Sequence, residues 1–500
     1  MRMGSGTMPA MQESATILPA PPEVLEKARR ARDPRFDGRF FVGVTSTGVY
    51  CRPVCRVRLP RAENVRFYPT AAAAMDAGFR PCLRCRPEAA PGTPAWGGTS
   101  ATVSRGLRLI DEGALDDAGN AALGDRLGVT DRHLRRLFLR HVGATPQRVA
   151  ETRRLLLAKQ MLTDTELRMS DIAMAAGYGS IRSFNDHIRR VFDRTPTSLR
   201  GRGSGDRAGV GLPGMVLRLT YREPFDWSGL LNFVARRATP GVEAVSGETY
   251  MRAVRVGDAV GTLTVCQAEG EPALVCGITL AQQTSLLPIV ARLRRMFDLE
   301  ADPAEITGAL VDDADIGHLV RGNPGQRLPG AWDPFEAAVR AIVGQQVSVA
   351  GATTVMGRIV ERYGSGIDTE LPGLTRLFPA PETLAELDDA HMPMPRIRAG
   401  AIRELAARVA SGSIRLDAAT DHGALREQLQ TIRGIGPWTA EYVTMRALSD
   451  PDAFLASDLI LMRIAEERFG DPNAAALIRR AERWRPWRAY AGLHLWRSYS

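Results

Sequence analysis

The rhythm of apolar and polar positions changes along this chain, and the changes divide it. Met215–Thr220 and Ala259–Gln267 alternate with β-branched residues and predict strands, whereas Trp227–Arg236 repeats apolar residues at helical spacing. From about Pro303 onward the helical period takes over almost completely, with short turns marked by Gly and Pro. Upstream, the run Ala121-Ala-Leu-Gly-Asp-Arg-Leu-Gly-Val-Thr130 predicts a short apolar helix closed at Gly128. Asp131-Arg-His-Leu-Arg-Arg-Leu-Phe138 then predicts a second helix with Arg on its open face. The same two-helix pattern returns at Ser170–Gly179 and Ser180–Phe192, and an apolar helix over Val149–Leu162 joins the pair.

Two Gly/Pro-rich stretches, Pro91–Ser100 and Arg200–Gly214, interrupt these patterns and read as linkers, the second predicting independent motion of what it joins. The expected organisation is a disordered leader over 1–32, a zinc module over 33–90 and a helical DNA-binding region over 101–200. A linker over 201–214 then leads to a small α+β domain over 215–302 and a helical domain over 303–500. The fold class is multidomain, mainly α with α+β parts.

Composition narrows the partners. With 65 Lys+Arg against 56 Asp+Glu the chain carries +9, a balance that suits a polyanion, although an Arg-rich chain can equally reflect genomic base composition. No segment holds the roughly 18–20 uninterrupted apolar residues of a membrane helix, and the N-terminus has no secretory pattern. A cytoplasmic protein without a membrane partner, acting as a monomer, is expected.

Four of the six Cys cluster: Cys51-Arg-Pro-Val-Cys55 and, after 26 residues, Cys82-Leu-Arg-Cys85. Two close pairs separated by a foldable segment are what a tetrahedral zinc site needs, since each pair spans one edge of the tetrahedron. A structural zinc site and a reactive one are both compatible with this spacing. The run Phe40–Cys55, together with Glu63-Asn-Val-Arg-Phe-Tyr68 and Ala77-Gly-Phe-Arg-Pro-Cys-Leu-Arg-Cys-Arg-Pro87, resembles the N-terminal domain of the Ada family over about Asp33–Pro87. The resemblance implies that Cys51 accepts a methyl group from a DNA phosphotriester while Cys55, Cys82 and Cys85 stay on zinc. Zinc would keep Cys51 as thiolate, and methylation would relieve a four-thiolate charge of about −2 that repels phosphate. Arg52, Arg56, Arg58, Arg80, Arg84 and Arg86 surround the ligands in sequence and are candidate phosphate contacts.

The paired helix–turn–helix units, with Gly143-Ala-Thr-Pro146 and Asp193-Arg-Thr-Pro196 after them, resemble the AraC-type DNA-binding domain. That resemblance implies two recognition helices in successive major grooves of promoter DNA, with RNA polymerase as the partner in activation. Candidate base readers are Arg132, Arg135, Arg182, Ser183 and Asn185, each of which is equally compatible with a solvated helix face.

In the helical region, Ile432-Arg-Gly-Ile-Gly-Pro-Trp-Thr-Ala440 reads as a helix–hairpin–helix core. Gly434 and Gly436 there let the backbone turn tightly and offer amide donors to a phosphate. About 20 residues on, Asp458 heads an apolar helix, where it is either a plain N-cap or a catalytic acid. With Trp332–Ser348 and Arg483–Trp496, these runs resemble the AlkA family of 3-methyladenine DNA glycosylases, within the helix–hairpin–helix superfamily. The resemblance implies that Asp458 is catalytic, that Trp438, Tyr442 and Trp496 line a pocket for a flipped alkylated base, and that Gln345 and Gln346 contact DNA. Core packing is the competing role for each aromatic. Trp438 stands where strand-cutting relatives carry Lys, so hydrolytic excision by a monofunctional enzyme is expected. The C-terminal tail lacks a Cys cluster, so no iron–sulfur centre is expected. Gln346 replaces an apolar wedge, and neither Cys266 nor Cys276 lies in a Pro-Cys-His-Arg run, so both are expected to be core thiols without the alkylguanine methyltransferase function. The competing reading of the whole chain is a transcription regulator whose glycosylase-like part only grips DNA.

Overall fold

The computed structural model describes all residues except 1–16, 92–100, 117, 166, 201–211, 213, 283, 387–391, 418–419, 472 and 500. Two small sheets stand among many helices. The first has strand order β3-β1-β2-β4, with β1 Phe41–Val44, β2 Val49–Cys51, β3 Val65–Tyr68 and β4 Arg80–Pro81. Cys51 closes β2 opposite Val42, so the sheet itself fixes the first ligand of the cysteine cluster.

The leader expected over 1–32 is shorter than its composition suggested. Pro22–Ala31 is a helix with Pro at its start, Glu23 in its first turn and Arg29 and Arg30 in its last. Leu25 and Ala28, one turn apart, pack on Phe40, Val42 and Val65. Residues 1–16 and most of the two Gly/Pro-rich linkers lie outside the described residues.

The helix–turn–helix pairs are Asn120–Leu127 with Asp131–His141, and Met169–Ala175 with Ile181–Phe192. Thr130 and Ser180 cap the two second helices, each accepting from the amide three residues on. Pro146–Asp164 joins the units and buries residues on nearly every face, including Lys159. Arg148 is its one exposed residue, and its buried positions pack on more than one unit. Leu157 and Met161 on it, with Phe184 and Ile188, share one hydrophobic cluster with Leu217 and Leu263 of the second sheet. The independent motion expected across 201–214 is therefore replaced by a common core.

That second sheet is antiparallel, with order β5-β9-β8-β7-β6: β5 Met215–Thr220, β6 Glu243–Ser246, β7 Thr249–Val256, β8 Ala259–Gln267 and β9 Ala273–Leu280. The helix Trp227–Ala235 packs with it. Cys276 is fully buried, but Cys266 is only partly so, which corrects its expected place in the core. Buried Arg252 of β7 bridges Glu243 of β6 and Glu336 of the helical domain, tying the two together with charge. The remainder is helical around its own large core, in which Pro334–Val343 packs against Pro437–Ala447.

Candidate functional sites

Asp458 does more than cap a helix. It caps the helix Leu459–Ile464, Oδ1 accepting from the amides of Ile460 at 3.0 Å and Leu461 at 3.2 Å. The same carboxylate also collects two indole donors. Trp496 Nε1 donates to Oδ1 and Trp438 Nε1 to Oδ2, each at 3.0 Å. Four donors and a helix start hold a half-buried carboxylate in one orientation. Such a group is suited to stabilising positive charge that develops in front of it.

Trp438 and Tyr442 lie one turn apart on Pro437–Ala447 and stack, with ring centroids 5.2 Å apart and planes 20° apart. Trp438 is partly open, as is Trp496, whereas Tyr442 is buried beneath. The Tyr442 hydroxyl accepts from Arg446 at 2.9 Å. Burial acts to raise its phenol, but the charges of Arg446, Arg237 and Arg340 outweigh it and hold the phenol below its ordinary value. Tyr442 thus faces a narrow cationic cleft between the α+β and helical domains, and only Trp438 and Trp496 reach Asp458.

The hairpin precedes this helix directly. Gly434 has φ +96°, and a Cβ there would come within 3.2 Å of the Ile397 side chain. Gly436 caps the helix start. Gln345 donates to the Gly434 carbonyl at 2.8 Å and to Thr439 Oγ1 at 2.9 Å, so its amide is spent on holding the hairpin. Gln346 beside it is exposed at φ +54°, a backbone state a non-glycine side chain rarely takes. Around these residues stand exposed apolar side chains: Ile397 against the hairpin, Val347 beside Gln346, Val349 at the start of the helix Val349–Tyr363, and Leu459 next to Asp458. The sequence patterns did not single out any of these four. Their signal was an apolar residue beside each polar candidate, which in a helical pattern reads as core.

The cysteine cluster is assembled as its spacing predicted. The sulfurs of Cys51, Cys55, Cys82 and Cys85 all lie within 4.8 Å of one another, and none of the four is in a disulfide. Backbone amides of Arg52 and Arg84 donate to the sulfurs of Cys85 and Cys82, both at 3.4 Å. Hydrogen bonds from Cys55 and Cys82 push the Cys51 thiol up, while those from Cys51 and Cys55 pull Cys82 down. Four thiolates this close need a cation between them, and an all-sulfur donor set fits zinc. Cys51, Cys55 and Cys82 are buried, Cys85 less so.

Of the arginines near the cluster, two are already engaged within the protein. Arg52 is paired with Asp37, and Arg86 with Asp164 at 2.6 Å and Glu88. Arg56, Arg58, Arg80 and Arg84 are exposed. On the recognition helices, Arg132, Arg135 and Arg182 project into solvent and Asn185 is half-buried. The Ser183 hydroxyl donates to the Ser180 carbonyl at 2.8 Å, a local contact.

Three family descriptions match the chain: "Metal binding domain of Ada" over residues 25–88, "Helix-turn-helix domain" over 123–202, and "AlkA N-terminal domain" over 216–333. The first begins within the helix Pro22–Ala31, inside the expected leader. A "Probable bifunctional transcriptional activator/DNA repair enzyme AlkA" of Mycobacterium tuberculosis is 44% identical over 94% of this chain and 95% of its own length. The Escherichia coli "DNA-3-methyladenine glycosylase 2" is 36% identical, over 56% of this chain and 95% of its own. The E. coli "Bifunctional transcriptional activator/DNA repair enzyme Ada" is also 36% identical, over 35% of this chain and 47% of its own. No described helix is long and apolar enough to cross a membrane. The chain belongs to the family of bifunctional transcriptional activator/DNA repair enzymes AlkA, joining an Ada-type metal-binding module and helix–turn–helix region to an AlkA-type body.

Proposed function

We propose that this protein repairs and responds to DNA alkylation: its C-terminal body hydrolyses alkylated bases such as 3-methyladenine from duplex DNA, and its N-terminal half senses methylphosphotriesters and activates transcription. The observation that carries the excision reading is the Asp458 carboxylate, fixed by two amides and two indoles beside a glycine hairpin. In the reaction the bond between C1′ and the base nitrogen breaks and its electron pair neutralises the cationic base. Asp458 stabilises the oxocarbenium character left on the sugar. Water then adds to C1′, leaving an abasic site. Trp438 and Trp496 present aromatic faces to the electron-poor flipped base.

Strand cutting through a Schiff base needs a lysine, and the chain has just two. Lys27 lies on the N-terminal helix and Lys159 is buried against Glu88. This supports a monofunctional glycosylase. Incubation with methylated duplex should release free 3-methyladenine, and Asp458→Asn should abolish the release. Undiminished release from the variant, or none from the wild type, rejects the reading in favour of a regulator that only grips DNA.

For the sensor, the four Cys would hold zinc, which keeps their sulfurs as thiolates. The Cys51 sulfur attacks the methyl carbon of a phosphotriester, forming an S–C bond as the C–O bond breaks and the phosphodiester anion leaves. Exposed Arg56, Arg58, Arg80 and Arg84 are the phosphate contacts this step would use. After exposure to methylphosphotriester DNA, the Cys51 peptide should gain one methyl mass; an unmodified peptide leaves the cluster structural. The helix–turn–helix units would then read promoter DNA through Arg132, Arg135, Arg182 and Asn185, with the chain acting as a monomer alongside RNA polymerase.

A further inference from the structure

Trp496 sits on the C-terminal helix Arg488–Arg497, and that helix is fixed from outside the helical domain at both ends. Near its start, the hydroxyl of fully buried Tyr490 donates to Asp298 Oδ2 at 2.6 Å. At its end, Arg497 pairs with Asp226. Both carboxylates precede the helical domain in sequence. Asp298 follows the helix Leu287–Met296, and Asp226 caps Trp227–Ala235.

Each carboxylate is itself held. Asp298 also accepts from the Leu328 amide at 2.9 Å and sits at φ +52°. That left-handed backbone is costly for a side chain with a Cβ and persists where surroundings dictate it. Burial pushes the Asp298 carboxyl up to about 6, with the Arg327 charge opposing. Asp226 accepts from the Gly229 amide at 2.9 Å and from Asn323 Nδ2 at 3.0 Å. Charge-assisted hydrogen bonds of this kind are short and directional, so together they fix both the rotation and the axial position of the helix between them.

Arg488 at the helix start also pairs with Asp452 at 2.8 Å within the helical domain, and the two outside carboxylates add holds at Tyr490 and Arg497 that flank Trp496. Trp496 lies six positions after Tyr490, so the two project from different faces, one toward the α+β domain and one toward the carboxylate. Shifting the first face shifts the second.

We propose that Asp298, through Tyr490, and Asp226, through Arg497, are positioning residues for base excision, holding the C-terminal helix where the Trp496 N–H reaches Asp458. The α+β domain thereby aligns a carboxylate it does not touch. This rests on the excision reading above. A misplacement of about 1 Å at a reacting group can cost on the order of 100-fold, so partial release of one clamp should cost about 10-fold.

The test is a double-mutant cycle on the full-length protein, with single-turnover release of 3-methyladenine and duplex affinity measured for each variant. Tyr490→Phe keeps the ring and removes the donor. It should slow excision about 10-fold with Kd for the duplex changed less than about twofold. In a Trp496→Phe background, where the indole donor is already gone, Tyr490→Phe should change the rate less than about twofold. Equal slowing in both backgrounds, or slowing matched by lost affinity, makes the clamp merely structural and overturns the proposal. Asp298→Asn and Asp226→Asn should follow the same pattern where they fold, and Tyr490→Phe decides the matter if they do not. If Asp458→Asn retains activity, the excision reading itself fails. If Asp458→Asn is dead and Tyr490→Phe is unaffected, only the positioning role fails.

Discussion

Lys159 and Glu88 form an ion pair of 2.6 Å with side chains only 2% and 1% exposed, joining the helix between the two helix–turn–helix units to the cysteine module. Removing Lys159 takes the nearer cation from a carboxylate buried away from water and leaves it Arg86 at 3.3 Å. Lys159→Met should therefore destabilise the protein by about 3–5 kcal/mol, and Lys159→Met with Glu88→Leu should recover most of that loss. Denaturant unfolding of the single and double variants checks this, and a double variant no better than the single would contradict it.

Trp496→Phe retains an aromatic face for the base but deletes one donor to Asp458. A hydrogen bond to a charged acceptor contributes about 1.5–3 kcal/mol, so single-turnover excision should slow by about 10- to 100-fold. Binding of undamaged duplex should be unchanged.

Gly434→Ala places a Cβ at φ +96° and against Ile397. The backbone strain is about 1–2 kcal/mol, and it falls on the turn proposed to present amides to the phosphate. Affinity for any duplex should drop, damaged or not, because a backbone contact carries no sequence information. Fluorescence anisotropy on both duplexes would show it.

Burial, with nearby arginines, depresses two histidines to about 4 from an ordinary 6.5: His187 in the second recognition helix and His494 in the C-terminal helix. Between those values the unfolded chain binds protons that the folded chain does not. Stability should therefore fall as pH drops from about 6.5 toward 4 and be restored as it rises. Half-buried Asp111 and buried Asp298, pushed up to about 7 and 6 chiefly by desolvation, titrate with the opposite sign. The histidine contribution is isolated by comparing wild type with His187→Gln, whose pH dependence should be shallower across that window.

Purified protein should contain one zinc per chain, and Cys82→Ser should lose it. Elemental analysis tests both, and a strong chelator should unfold the module around β1–β4 while leaving excision by the C-terminal body intact.

Local signals in the sequence were legible and distant ones were not, for physical reasons. Strands Met215–Thr220 and Ala259–Gln267 were legible to the residue because β-branched alternation is a local property. Trp438 and Tyr442 could be placed on one face from spacing alone. The helix Pro22–Ala31 was missed because its apolar face is two small contacts, Leu25 and Ala28, in a charged stretch. No periodicity announces that Trp496 donates to Asp458 across 38 residues of sequence, nor that Gln345 turns back onto Gly434. Arg52 and Arg86 looked like phosphate ligands because a sequence shows charges and hides the acids that neutralise them.

The core shared by the second helix–turn–helix unit and the α+β sheet makes the fusion more than a pair of tools on a string. A cut between residues 201 and 214 would split one continuous hydrophobic cluster, parting the helix Pro146–Asp164 from the strand Met215–Thr220 that it packs on. Each piece would carry a sticky apolar scar, and the regulator half could not be inherited, expressed or engineered apart from the repair half without first resurfacing that seam.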